Sequence, residues 1–249
     1  MRLVGKTVIV TGAGSGVGLA AVKLFLEQGC LVAATARQSA QLTMLAALGK
    51  DVLALDLDVT SPEQWENVLE VTTARWGGVD VLFNNAGATV RGSILETDLA
   101  RWNQVLTTNL TSVFLGCKSV IPGMIERGGG TIVNHASINA LQGNTNLVAY
   151  CASKGGVTAM TRALALDYAA DHIRVNCICS AAIDTSMTRN YLGTVQDQAA
   201  VQESIVAKHP LGRMATANEI AQVAVFLASP WSSYMTGTSI PVDGGRSVR

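Results

Sequence analysis

The chain has 249 residues, and 18 lysines and arginines balance 18 aspartates and glutamates, so the formal net charge is zero. Hydrophobic residues make up 49% and charged residues 14%, which excludes a disordered chain, since that needs low hydrophobicity and unbalanced charge. No basic excess is available to displace counterions from phosphates, which argues against a dedicated nucleic-acid binder, and the sparse charge hints at helix surface buried against other subunits.

Residues 7–11 (TVIVT) are β-branched almost throughout and predict the first strand. Glycines follow, then a helix with Leu19, Val22, Phe25 and Leu26 at helical spacing. Residues 31–35 predict a second strand, 38–48 a helix closed by Gly49, and 51–55 a third strand. Ser61-Pro62-Glu63-Gln64 is a helix start. The serine caps, the proline takes the first turn, and Gln64 can complete a capping box. That helix stops at Gly77-Gly78, and 79–83 predict a fourth strand ended by Asn84-Asn85-Ala86-Gly87. A long helical stretch covers about 99–126, with an interruption expected near Pro122, and Trp102 and Phe114 read as core. Strands at 131–136 and 173–178 flank a helix over about 149–170. Thr216-Ala217-Asn218-Glu219 is a second capping-box candidate before an alanine-rich helix, and a strand at 238–242 closes the series.

These seven strands are solid apolar runs without polar alternation, the mark of strands covered on both faces. No Pro, Gly or Ser linker divides the chain and no repeat is evident. The expectation is one α/β domain over 1–249, doubly wound, with a seven-stranded parallel sheet flanked by helices on both faces. The five cysteines, odd in number and mostly inside apolar runs, read as reduced and buried thiols. The three histidines are scattered and no Cys/His spacing resembles a metal site. Polar residues interrupt each apolar stretch short of the roughly 18 residues a spanning helix needs. A strand begun by Lys6 or Thr7 leaves no room for a signal peptide. A cytoplasmic protein without a membrane association is therefore expected.

The first strand runs into Thr11-Gly12-Ala13-Gly14-Ser15-Gly16-Val17-Gly18, and a helix opens on this turn. Backbone N–H groups there make a ready phosphate site, and glycine lets the backbone approach a pyrophosphate without a Cβ clash. The spacing is G-x-x-x-G-x-G through Gly12, Gly16 and Gly18; a simple tight turn is the alternative. The second strand ends in Thr35-Ala36-Arg37, with no carboxylate to take ribose hydroxyls and a guanidinium suited to a 2′-phosphate. NADP(H) is therefore favoured, with NAD(H) the alternative and Arg37 otherwise a solvated helix-start residue. Asp58 and Val59, at the end of the third strand, are placed for the adenine, although Asp58 reads equally as a turn cap.

Tyr150 and Lys154 are four apart and share a helix face. An ammonium beside a phenol favours the phenolate, lowers its pKa, and makes it a workable acid/base near neutral pH. Ser137, just past a predicted strand, can hold the same substrate oxygen. His135, two residues earlier, reads as a strand-end packing residue.

These pieces together resemble the short-chain dehydrogenase/reductases, along essentially the whole chain. The matching motifs are TGAGSGVG at 11–18, DLDVT at 56–60, NNAG at 84–87, Asn109 in TNLTSVF, Ser137 in VNHAS, YCASK at 150–154, IRVN at 173–176, LGR at 211–213 and VDGG at 242–245. The resemblance implies a Rossmann-type NAD(P)-binding domain. In it Tyr150 is the general acid/base, Ser137 steadies the substrate oxygen, and Lys154 holds the nicotinamide ribose. Asn109 would tie Lys154 to a water and complete a proton relay. Gly12, Ser15, Gly16, Val17 and Gly18 would form the diphosphate turn, and Asn85, Ala86 and Gly87 would lie against the adenosine half, with Asn85 stabilising the sheet. Ile183 and Thr185 would contact the carboxamide and phosphate. A homotetramer, or else a dimer, is implied.

One departure stands out: Ser180-Ala181 replace the family's usual Pro-Gly after the sixth strand, which relaxes φ at the first position and disfavours a positive φ at the second. Ser15 is also neutral where many NADP-using members carry a basic residue. The segment 186–209 is expected to fold over the site as a lid, with Met187, Tyr191 and Leu192 as apolar contacts. Asn139, Leu141 and Asn144 would form another wall. No cationic patch is concentrated there, so a neutral ketone or secondary alcohol of modest size fits best. Arg91 reads as a solvated loop residue that could meet an anion. No metal is implied. A non-catalytic nucleotide-binding scaffold or redox-sensing regulator is the competing reading, against which the set Asn109, Ser137, Tyr150 and Lys154 argues.

Overall fold

Apolar β-rich segments form the middle layer of the computed structural model, which describes residues 3–248; Met1, Arg2 and Arg249 at the ends of the expected domain lie outside it. The strands are β1 (Thr7–Val10), β2 (Leu31–Ala36), β3 (Val52–Asp56), β4 (Val81–Asn84), β5 (Gly130–His135), β6 (Ile173–Ser180), β7 (Ile183–Asp184), β8 (Ala215–Thr216) and β9 (Ser239–Val242). Seven of them make one sheet in the order β3-β2-β1-β4-β5-β6-β9. Every pairing in it is parallel. The short β7 and β8 pair separately.

The helices are α1 (Gly16–Glu27), α2 (Ser39–Ala46), α3 (Pro62–Trp76), α4 (Leu99–Leu106), α5 (Ser112–Glu126), α6 (Val148–Asp167), α7 (Ser186–Leu192), α8 (Gln198–Val206) and α9 (Ala217–Ala228). They lie on both faces, because successive strand side chains point to opposite sides. In β1, Val8 and Val10 join Val22, Phe25, Ala224 and Val225 of α1 and α9 on one face. Ile9 joins Trp65, Val113, Val120 and Val157 of α3, α5 and α6 on the other. Each fully buried Phe25- or Leu82-sized side chain contributes roughly 1.5–3 kcal/mol. A buried polar chain crosses this second face. The Asn84 amide donates to Asn134 Oδ1 at 2.9 Å, and the Asn134 amide donates to Thr161 Oγ1 at 2.9 Å.

Local signals resolve in detail. Thr216 and Glu219 close their capping box. Ser61 caps α3 by accepting from the Gln64 N–H at 3.2 Å. Its box stays open, because the Gln64 side chain instead accepts from the Asp58 N–H at 2.6 Å. The long helix does not break at Pro122, which lies inside α5. It widens earlier, into a π-helical turn over Thr107–Thr111. Phe114, expected in the core, is 48% exposed on α5, and Trp102 is only half-buried; Trp65 is the fully buried tryptophan. All five cysteines are free, four of them buried. No helix among the described residues is long and apolar enough to cross a membrane.

Candidate active site

The sheet reverses its winding between β1 and β4, so their C-terminal ends flank a crevice, the place where open α/β sheets bind ligands. Three groups of residues meet there.

The first is the glycine turn. Gly12 has φ +63° and its missing Cβ would lie 3.0 Å from the Ala86 Cα. Gly16 has φ +52°, and a Cβ there would meet the Thr185 side chain at 3.2 Å. A side chain at Gly18 would run into the Gly12 carbonyl. Ser15 is the N-cap of α1 but makes no side-chain cap, and the first turn carries no acidic residue. The N–H groups that a helix start leaves unpaired are thus free for an anion. This cradle fits a dinucleotide diphosphate. Val17 is buried in the core beneath it.

Thr11, at the head of the glycine motif, ties the turn to the NNAG segment. Its hydroxyl accepts from the Asn85 and Ala86 N–H groups at 2.9 and 3.0 Å. The Asn85 amide donates back to the carbonyls of Thr11 and Gly12 at 2.9 and 3.3 Å. Gly87 follows, where a Cβ would lie 3.2 Å from Asn109 Oδ1 and 3.5 Å from Lys154 Nζ. At the end of β2, Arg37 is exposed and makes no hydrogen bond or ion pair within the described residues. Asp58 is a turn cap: its carboxylate accepts from the Thr60 N–H and hydroxyl at 3.0 and 2.7 Å. Those bonds, more than the nearby Arg37 guanidinium, hold it below its ordinary pKa. Val59 is buried beside it.

The second group is carried by β5, α6 and the π turn. Ser137 starts a short 3-10 turn and Tyr150 and Lys154 sit in the first turns of α6. Ser137 and Thr89, the latter without any sequence signal, lie close enough to Tyr150 to favour its phenolate. Burial nevertheless outweighs them and holds the phenol above its ordinary pKa. The expected depression by Lys154 is therefore not found with the side chains as they stand. The ammonium lies 5.9 Å from the Tyr150 ring centre and donates to the His135 carbonyl at 2.7 Å. Burial lowers Lys154 itself to about 8. Asn109, fully buried in the π turn, spends its side chain on Ala88: Oδ1 accepts from the Ala88 N–H at 2.7 Å and Nδ2 donates to the Ala88 carbonyl at 2.8 Å. It makes no direct bond to Lys154. It also donates to Ser153 Oγ at 3.2 Å, joining the loop after β4 to α6.

The third group is the segment after β6. Ala181 does not need a positive φ, so alanine is compatible with the loop path. Its N–H donates to the Val242 carbonyl at 3.2 Å, and the Ala182 N–H donates to His209 Nε2 at 3.4 Å. Ile183 lies in β7, and Thr185 stands at the start of α7 without a side-chain cap, its side chain against Gly16. Residues 186–209 form α7 and α8, and α7 leans on the loop after β4. The Arg91 guanidinium stacks on the Tyr191 ring at 3.8 Å, so it is not simply solvated. Thr89 Oγ1 lies 3.7 Å from the Met187 sulfur. Leu192 is buried and Met187 half-exposed. Asn139 Oδ1 is buried without a hydrogen-bond partner among the described residues. Leu141 is 45% exposed and Asn144 half-buried in the neighbouring loop. No group of three metal-ligating side chains occurs among the described residues. A separate cavity of about 670 Å³, lined by Lys6, Asp80, Arg127 and Arg174, opens at the opposite, N-terminal ends of the strands, away from these groups.

A family model described as enoyl-(acyl carrier protein) reductase matches residues 12–247. The chain is 37% identical over 250 residues to meso-2,3-butanediol dehydrogenase of Serratia marcescens, covering 100% of this chain and 97% of that one. It is 39% identical to the 3-oxoacyl-[acyl-carrier-protein] reductase of Chlamydia pneumoniae, covering 98% of each. A solved short-chain dehydrogenase/reductase from Burkholderia xenovorans superimposes with a TM-score of 0.94 at 37% identity, covering 100% of this chain and 98% of that chain. The chain belongs to the short-chain dehydrogenase/reductase family. It is an NAD(P)-dependent oxidoreductase of small-molecule carbonyl or alcohol substrates.

Proposed function

We propose that this enzyme interconverts a neutral ketone and its secondary alcohol with NADP(H), and that Tyr150 moves the proton. The observation that carries this reading is the placement of Tyr150 one α-helical turn from a buried Lys154, whose ammonium donates to the His135 carbonyl at 2.7 Å at the end of β5, two residues before Ser137. Bound at the glycine turn, the dinucleotide supplies or accepts the hydride. Gly12, Ser15, Gly16, Val17 and Gly18 would hold its diphosphate. Asp58, Val59, Asn85, Ala86 and Gly87 would border its adenosine half. Lys154, Ile183 and Thr185 would border its nicotinamide half.

The protein's own work is orientation and proton delivery. Ser137 holds the substrate oxygen. Tyr150, kept protonated by burial, donates to that oxygen in reduction and takes the proton back in oxidation. Lys154 would hold the nicotinamide ribose, and Asn109 fixes the loop beside it through Ala88 and Ser153. Asn139, Asn144, Met187 and Tyr191 wall the substrate, and residues 186–209 act as the lid. Arg37 supports NADP(H) over NAD(H), since a guanidinium without an ion-pair partner stands where a carboxylate would serve NAD(H).

A panel of ketones and secondary alcohols, followed at the nicotinamide absorbance with each cofactor, tests the reading. Turnover with a preference for NADPH that Arg37→Ala abolishes supports it. Preference for NADH unaltered by Arg37→Ala would assign NAD(H) instead, and tight nucleotide binding without turnover of any substrate would favour the scaffold. Exposed Phe114 and Leu166, 48% and 83% exposed on α5 and α6, support a homotetramer built through these helices, with a dimer as the alternative outcome of light scattering.

A further inference from the structure

His135 and Ser180 are 45 residues apart and make a side-chain bond that neither the proton relay nor the glycine turn uses. The imidazole Nε2 lies 2.9 Å from Ser180 Oγ, and Nδ1 lies 3.1 Å from Asn85 Oδ1. The protons on these bonds follow from the partners. Asn85 Nδ2 donates to the Thr11 and Gly12 carbonyls, so Asn85 Oδ1 faces the ring as an acceptor. Nδ1 therefore carries the proton, and Nε2 accepts from the Ser180 hydroxyl. Burial and the Lys154 ammonium keep the ring neutral, with a pKa of about 3. The result is a continuous chain, Ser180–His135–Asn85–Gly12, running across the C-terminal ends of β6, β5, β4 and β1. Ser180 is 5% exposed at the root of the loop that leads to Ile183 and Thr185. Proline, usual in the family at this position, would fix φ but has no hydroxyl.

We propose that His135 is a positioning residue that sets the distance between the glycine turn and the loop after β6, the hydrogen bond from Ser180 replacing the restraint a proline ring would give. The inference rests on the cofactor reading above. It assigns Ser180 to the nicotinamide half of the cleft and leaves the diphosphate half to the glycine turn alone.

The test compares dissociation constants for NADPH and for 2′-phospho-ADP-ribose, the same nucleotide without nicotinamide. Ser180→Ala leaves the buried Nε2 without its donor and is expected to weaken NADPH roughly tenfold, the scale of one buried hydrogen bond left unmade, while the fragment binds as before. Ser180→Thr keeps the hydroxyl and restores NADPH binding. In a double-mutant cycle, Ser180→Ala added to His135→Val costs nothing further. Equal losses for both nucleotides, no loss for either, or additive losses in the cycle would overturn the proposal. Should His135→Val not fold, the alanine and threonine variants at 180 decide alone. Wild-type protein that binds neither nucleotide would instead overturn the functional reading on which the proposal stands.

Discussion

Tyr150 sits where burial and hydrogen bonding act in opposite directions on one proton, and burial prevails. Its tyrosinate absorbance, taken as the difference between wild type and Tyr150→Phe, is expected to titrate above the ordinary value of about 10. Titration below that value would show that Lys154 controls the phenol without help. Tyr150→Phe should also cut turnover by about 10²–10⁴, the usual worth of a positioned acid/base, with NADPH affinity retained. His135 has a second consequence, in stability. Its ring is lowered from 6.5 to about 3 in the fold. Between those values the unfolded chain binds a proton that the native state refuses, so stability is lost as pH falls through this window. Urea unfolding across the window should show His135→Val with a slope shallower by up to one proton; an unchanged slope would mean that the ring charges in place. The sequence exposed the Tyr150–Lys154 spacing but not the lysine's actual partner, because adjacency on a helix says nothing about a carbonyl on β5. Thr89 carries no signal for a similar reason, since a single threonine in a loop has no periodicity; Thr11 heads the glycine motif, but its bonds to Asn85 and Ala86 are long-range and leave no mark in the sequence.

Among the elements, the helix over 99–126 shows what local chemistry reveals and what it hides. Proline is a visible breaker, so Pro122 drew the expected interruption, yet α5 accommodates it. The π turn at Thr107–Thr111 has no compositional mark, although it carries Asn109. Such turns cluster at functional sites because they re-aim side chains and free backbone groups. The Thr216–Glu219 box was legible, since its partners stand three residues apart; the Ser61 box failed because a competitor six residues before Gln64, the Asp58 N–H, took its side chain. At the far end of the sheet, Arg174 of β6 donates to Ser232 and Thr131 hydroxyls and to the carbonyls of Leu227, Ser229 and Met235. It staples the end of α9 and the segment after it to the strand starts. Arg174→Ala leaves several carbonyls without donors and should cost about 2–4 kcal/mol in denaturant unfolding, with little change in the NADPH dissociation constant, since the site lies at the opposite ends of the strands.

For the molecule as a whole, the fold was legible because β1 to β4 are near-continuous apolar runs, as in a sheet covered on both faces, although Asn134, Arg174 and Asn176 interrupt β5 and β6. The order β3-β2-β1-β4-β5-β6-β9 was not readable from periodicity, because each run looks alike until its neighbours are known. The path of the Ser180-Ala181 loop was equally hidden, since the side chains that hold it come from β5 and from the segment after α8. Arg91 reads in the sequence as a solvated loop residue or one that could meet an anion, with nothing to point to Tyr191. Its stacking on Tyr191 ties α7 down, so Arg91→Ala should raise substrate KM several-fold in steady-state kinetics with kcat less affected.

The pairing of Cys177 with Ser239 joins positions far apart along the chain. During synthesis β6 emerges well before the strand that will cover it. Until β9 arrives, the nascent protein presents an open, wholly buried-type flank able to recruit a like segment from another molecule. Truncation ahead of Ser239 would make that transient hazard permanent, and the shortened chain should sediment as aggregate where the full-length one stays dispersed.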